Sequence, residues 1–197
     1  MKVIDCIQGS EQWHLAKCGI PSASNFDKII TTDGKRSKSA EKYLYQLAGE
    51  KIIGKPEESY QNNDMLRGQE MEAEARQLYE LTTEETVTQV GFCIDNGYGC
   101  SPDGLVGKDG LLEIKCPKLS THVSYLLANK LPTEYYQQVQ GQLLVTGRKW
   151  VDFVSYFPAI KPFIIRVVPD KEFQKALRVE LELFCEELTE VVKKLEG

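Results

Sequence analysis

The stretch from Tyr98 to Pro117, reading Y-G-C-S-P-D-G-L-V-G-K-D-G-L-L-E-I-K-C-P, constrains the fold more than any other part of this chain. Asp109-Gly110 is a dipeptide that supplies the positive φ angles of a tight turn, and it lies between two short apolar runs. That predicts a hairpin of two neighbouring strands. Side chains alternate along a strand, so Glu113 and Lys115 share one face while Leu112 and Ile114 point to the other, into a core. Asp103 then approaches the Glu113 face from the neighbouring strand. Two carboxylates and an ammonium gathered at one point suit a hard divalent cation, which prefers oxygen ligands, with the lysine left to steady an attacking water or a developing negative charge.

The rest of the 197-residue chain has to supply a core around that hairpin. This length fits one domain over residues 1–197 and is enough to bury a substantial core. The balance of 42 % apolar and 27 % charged residues is that of a globular protein, and no apolar run approaches a membrane span. The N-terminus, Met1 to Asp5, lacks the apolar core of a signal peptide, so the expected location is the cytoplasm, with no membrane partner. Six cysteines are scattered without a C-x-x-C pair, which signals neither a zinc site nor a disulfide framework, and most are expected to be small buried residues.

A net charge of −5 looks wrong for a nucleic-acid partner until it is located along the chain. From Lys28 to Lys55 there are seven lysines and arginines against three acids, a local charge of +4. Lys35 and Arg36 stand in its polar centre, from Thr31 to Lys38, which reads as a flexible basic loop. From Glu57 to Glu85 the acids dominate. A local basic patch rather than total charge makes phosphate contacts, so this polarity remains compatible with DNA.

Periodicity places the remaining elements. Lys2 to Gln8 is extended, Ser10 caps a short helix through Lys17, and Ser22-Ala23-Ser24 starts a second helix. Ser39 begins a longer helix closed by Gly54, and another runs from Asp64 to Leu81 with Leu66, Ala73 and Leu78 inward. Glu85 to Ile94 alternates as one strand. After the hairpin come a helix from Ser120 to Asn129 and a second from Thr133 to Val145, which turns Tyr135, Gln138 and Gln142 away from its apolar side. Strands at 149–157 and 163–168 and a final helix from Pro169 complete an α/β chain with a central mixed sheet of four or five strands flanked by helices.

The pattern P-D-x9-E-x-K, in the fuller context S-P-D-G and L-E-I-K-C-P, resembles the PD-(D/E)xK nuclease superfamily, whose core is restriction-endonuclease-like. Three more segments narrow the resemblance: Trp13-His14 through Gly19 to Ala23-Ser24, Arg67-Gly68 through Glu72 to Ala75-Arg76, and Tyr135 through Gln138-Val139-Gln140. Together they look like the phage lambda exonuclease, YqaJ-type viral recombinase family. That resemblance implies a homotrimeric 5′-to-3′ exonuclease acting on double-stranded DNA ends. It also implies two magnesium ions, or manganese, per site, and a 3′ single strand handed to a single-strand annealing protein.

Carried over residue by residue, the resemblance makes Asp103, Glu113, the Ile114 carbonyl and Glu72 metal ligands, and Lys115 the catalytic lysine. Gln138 and Tyr135 match the active-site helix, where an amide and a phenol can hydrogen-bond substrate or water. Ser24 matches a phosphate contact. Lys17 stands where the family usually has arginine, which keeps the charge but loses the bidentate grip on phosphate. Met65 or Leu66 matches an apolar wedge between separating strands. His14 and His122 carry no function in this reading. The alternatives are an endonuclease of the same superfamily, restriction or junction-resolving, and a non-catalytic module that binds DNA ends. The iron–sulfur nucleases are disfavoured, because only Cys116 and Cys185 follow the hairpin.

Overall fold

The structure, a computed structural model, describes residues 1–57 and 63–197, with the side chains of residues 63–66, 68 and 69 outside that description. In chain order its elements are β1 (Lys2–Ile4), α1 (Glu11–Lys17), a 3₁₀ helix (Ala23–Lys28), α2 (Ala40–Ile53), α3 (Asn63–Thr83), β2 (Val87–Thr88) and β3 (Phe92–Asp95). They continue with β4 (Tyr98–Cys100), β5 (Gly104–Val106), β6 (Gly110–Lys115), α4 (Leu119–Ala128) and a 3₁₀ turn (Thr133–Tyr135). Last come α5 (Tyr136–Thr146), β7 (Trp150–Ser155), β8 (Phe163–Val167) and α6 (Lys171–Glu196).

Strand β6 is apolar toward both sides and so has to be covered on both. It lies inside a five-stranded sheet of order β2-β5-β6-β7-β8, antiparallel except for the parallel pair β6–β7. A parallel pair needs a long crossover, which α4, the 3₁₀ turn and α5 provide. Leu112, Ile114 and Val154 pack against Ala75 and Tyr79 of α3 on one face. Leu111, Val151 and Phe153 pack against Tyr125, Val139 and Leu143 on the other. Alternation then forces Glu113 and Lys115 onto the α5 side.

A second sheet of order β1-β3-β4 is antiparallel throughout and closes over the core that α2, α5 and α6 build. Helix α6 starts on an Asp170 cap, whose side chain accepts from the Phe173 N–H at 3.0 Å. It buries Phe173, Leu177, Leu181, Phe184 and Leu188, the stripe its 3.6-residue period predicts. Gly141 lets α5 lie close on the 3₁₀ helix, since a Cβ there would come within 2.4 Å of the Phe26 ring.

Several expectations are corrected. The hairpin forms, but its left-handed residue is Gly107 (φ 50°); Val106 pairs with Gly110, so the loop holds Gly107, Lys108 and Asp109. Gly110 is needed instead for space, because the Trp150 ring lies where a Cβ would stand. The single strand expected over 85–94 is two, β2 in one sheet and β3 in the other, and alternation alone does not say which sheet a strand joins. The central mixed sheet has five strands, as expected, and three further described strands form a second sheet that was not expected. Of the residues expected inward on α3, Leu78 packs against the core beside Ala75 and Tyr79, Ala73 is exposed, and Leu66 lies outside the described side chains.

The 31–38 loop is built rather than loose. The Thr31 N–H donates to the Lys35 carbonyl at 2.8 Å, and Ile30 bridges Arg36. Only Cys93 and Cys100 are fully buried among the six free cysteines. His122 is buried between Ser155 Oγ (2.8 Å) and the Lys161 carbonyl (3.1 Å), a satisfied core histidine. Among the described residues no helix is long and apolar enough to cross a membrane.

Candidate active site

Strand β5 pairs with β6 only from Val106 back to Gly104, opposite Leu112, so the edge of β6 beyond Leu112 is left open on that side. Asp103, one residue before β5, fills the gap: its Oδ2 accepts the Ile114 N–H at 2.5 Å. In a strand the N–H and C=O of one residue leave the same edge, so the Ile114 carbonyl faces the Asp103 side as well.

Glu113 is 1 % exposed yet fully served by donors. Its Oε1 accepts from Gln138 Nε2 at 2.6 Å and pairs with Lys115 Nζ at 2.6 Å, and its Oε2 accepts from Gln142 Nε2 at 2.5 Å. A buried carboxylate can persist only with such partners. Burial pushes the Lys115 ammonium toward neutrality, but the charges of Glu113 and Asp103 beside it more than offset this and raise its pKa. Lys115 is therefore a fixed cation. It also lies 5.0 Å over the face of Tyr135, whose ring leans on Phe153. For Asp103, burial and then the neighbouring charges of Glu113 and Glu72 push the carboxyl well above the usual range, against the pull of Lys115 and the Ile114 N–H.

Glu72 thus reaches the site from α3, where Arg76, one turn on, forms an ion pair with its Oε1. A cleft of about 850 Å³ opens on this point, lined among others by Trp13, His14, Glu72, Arg76, Gln89 and Asp103. Trp13 Nε1 donates to Ser101 Oγ at 2.8 Å, fixing α1 to the S-P-D turn, and Lys17 Nζ sits 3.8 Å over the Trp13 ring. Burial lowers the Lys17 pKa to about 8, opposed by Cys100 and Glu50. Gly19 (φ 66°) turns the chain after Lys17 and donates its N–H to Glu50 Oε2 at 2.9 Å.

Among the described residues no three His, Cys, Asp or Glu side chains converge tightly enough to form a metal cage. The donor set still fits magnesium. Asp103, Glu113 and Glu72 face two cations, Lys115 and Arg76, and the charges of Glu113 and Glu72 raise the Asp103 pKa, an excess of negative charge that a dication relieves. Magnesium is commonly held by one or two carboxylates, with water and phosphate completing its shell.

Comparison with known proteins places the chain in a family. The family described as the YqaJ-like viral recombinase domain matches residues 12–149. The chain belongs to this family. Among solved structures it is similar to an alkaline exonuclease, LHK-Exo, from Laribacter hongkongensis. That match has 35 % identity over 95 % of this chain and 96 % of that one, with a TM-score of 0.86. The same exonuclease in complex with dAMP matches at 36 % identity over 95 % and 96 % of the two chains, again at 0.86. A phage related exonuclease from Haemophilus somnus 129PT shares the fold at 14 % identity, covering 89 % and 96 %, with a TM-score of 0.70. No curated protein matches.

Of the residues that the resemblance to YqaJ-type recombinases singled out, the fold brings Asp103, Glu113, Lys115, Ile114, Glu72, Gln138 and Tyr135 to one place. Lys17 is tied to it through Trp13 and Ser101. Ser24 is exposed, with its Oγ 3.3 Å from Ser22 Oγ. Lys35 and Arg36 are engaged elsewhere, by Asp33 and by Glu187 and Glu180 of α6. Met65 has its side chain outside the described residues. Sequence reasoning gave no role to three residues it had placed in these segments: Gln142, one helical turn after Gln138; Ser101, in the S-P-D turn; and Arg76, one turn after Glu72. The i,i+4 spacing was a signal for the first and the last.

Proposed function

We propose that this YqaJ-family chain is a magnesium-dependent exonuclease that removes nucleotides from the 5′ end of one strand of linear double-stranded DNA. The product is a 3′ single strand for a single-strand annealing partner, and the working form is a homotrimer. The observation that carries the reading is the meeting of Asp103, Glu113 and Lys115 where β5 stops pairing, beside a cleft that Asp103 and Glu72 line. The similar structures support it: LHK-Exo is an alkaline exonuclease, and dAMP, with which it forms a complex, is the kind of mononucleotide exonucleolysis releases.

In this reading Asp103, the Ile114 carbonyl, Glu113 and Glu72 hold the metal. Magnesium there supplies Lewis-acid polarisation of the scissile phosphate and a lowered pKa for water. Lys115 stays charged and faces the negative charge that develops on the phosphate oxygens. Gln138 and Gln142 fix the Glu113 carboxylate in one rotamer, and the Tyr135 ring face lies against the Lys115 ammonium. Lys17 and Ser24 take the terminal 5′ phosphate.

The purified chain with magnesium should degrade linear duplex and leave closed-circular duplex intact, with a 5′ label released before a 3′ label. Nicked circles would instead mean an endonuclease, and two untouched substrates a binding module. Asp103→Ala should abolish cleavage and weaken magnesium binding by calorimetry, because a carboxylate anchor is lost. Magnesium-stimulated cleavage by that variant would remove Asp103 from the site.

A further inference from the structure

Several cations around the sheet and the site have an acceptor within the fold. Arg148 donates to the carbonyls of Gly107 and Gly110, Arg166 holds Asp152, Arg76 holds Glu72 and Lys115 holds Glu113. Arg67 differs. Its Nε and Nη2 are buried without a hydrogen-bond partner, and among the described residues it makes no ion pair; its guanidinium carbon lies 5.9 Å from the centre of the Phe157 ring. An ionised donor left so is costly, which argues for an acceptor that arrives with a ligand.

The position narrows what that ligand is. The Tyr156 N–H donates to the Lys115 carbonyl at 2.9 Å, so Tyr156-Phe157 runs beside Lys115-Cys116. Arg67 is near enough for its charge to act on Cys116, while Lys17 acts on Cys100, before the S-P-D turn. Glu72 and Asp103 act on Cys116 as Arg67 does, and Glu113 acts on Cys100 as Lys17 does, so the carboxylates neighbour both cations. A planar guanidinium offers a fork that suits two oxygens of one phosphate.

We infer that Arg67 grips a phosphodiester of the cleaved strand, the next one beyond the scissile bond, on the opposite side of the carboxylates from Lys17. This rests on the nuclease reading above. Three consecutive phosphates of the strand then meet Lys17, the carboxylate site and Arg67, which sets the register of the strand before each cut.

The test is binding of a 5′-phosphorylated duplex, with calcium in place of magnesium, by fluorescence anisotropy across a salt series. Arg67→Met, which keeps the packing on Phe157, should weaken binding about tenfold or more and flatten the log–log salt slope by about 0.9. Arg67→Lys should keep the slope and lose part of the affinity. An uncharged methylphosphonate at the third phosphate should weaken wild-type binding by a similar factor and leave Arg67→Met unaffected. A folded Arg67→Met with the wild-type slope overturns the proposal. So does wild-type indifference to that methylphosphonate, a result that stands even if Arg67→Met does not fold. A wild-type chain that degrades duplex from the 5′ end yet ignores position 67 removes only this assignment; one that binds no duplex removes both.

Discussion

Two groups of cations, Lys17 with Lys115 and Lys35 with Arg36, look alike in a charge count and differ in the folded chain. Lys35 pairs with Asp33 at 2.7 Å, and Arg36 with Glu187 at 2.5 Å and Glu180 at 3.8 Å. Their charge is met on the surface, by acids of their own loop and of α6. Lys17 has no ion pair among the described residues, and Lys115 sits among more carboxylate charge than it can balance. The lesson is that a cation is available to phosphate, or useful in a reaction, according to what the fold has already set against it. The +4 of the 28–55 segment does not measure that.

The largest test of this contrast is Lys115→Ala. Removing a preorganised charge from the reacting centre should lower single-turnover cleavage by at least about a hundredfold. Binding of duplex in calcium should change little, because the backbone contacts remain. Cleavage within a few fold of wild type would erase the distinction between the two groups, since Lys115 would then be one more paired surface cation.

That distinction was half legible in the sequence. The S-P-D and E-x-K segments carried the site because a strand's alternation and a short turn fix relative positions within some twenty residues, and the observed register bears this out. The α5 residues Tyr135 and Gln138 were legible through the 3.6-residue period, and the same period pointed to Gln142 without saying that it would reach the second oxygen of Glu113. What the sequence did not carry was long-range pairing. Glu180 and Glu187 meet Arg36 from the far end of the chain, and Ser101 meets Trp13 across 88 residues. The hairpin's left-handed residue was misplaced because Asp-Gly fits a two-residue turn and the chain uses a longer loop, with Gly107 in that role.

A middle-sized effect is expected at Lys17, and its sign follows from the pKa. Burial holds Lys17 at about 8 rather than 10.5, so its charge is present below that pH and lost above it. A duplex with 5′-phosphate ends should be degraded roughly tenfold faster than one with 5′-hydroxyl ends below that pH, the worth of one charge-assisted hydrogen bond. The ratio should fall toward one as the pH rises. A bound phosphate favours the charged lysine, so the midpoint of the fall lies above the value for the free protein. Lys17→Arg should give a large ratio that does not change with pH, and Lys17→Ala a small one. A wild-type ratio that is flat across this range would place Lys17 with the spent cations, beside Lys35 and Arg36.

The smallest effect should come from Arg36→Ala, and its smallness is what the comparison asserts. The Arg36 side chain is 37 % exposed and that of Glu187 45 %, so solvent screens the pair and its loss should cost no more than about 1 kcal/mol. For a chain of this length that is a drop in melting temperature of about 2–4 °C. Arg36→Ala also leaves Glu180, whose Oε2 is buried without a hydrogen-bond partner, with a less favourable surrounding charge. The double variant Arg36→Ala/Glu187→Ala should therefore recover part of the loss, since one of two facing acids is gone. Duplex affinity and its salt slope should match wild type. If Arg36→Ala instead flattens that slope by about 0.9, Arg36 leaves α6 for a phosphate when DNA arrives, and an ion pair in the free chain no longer marks a cation as unavailable.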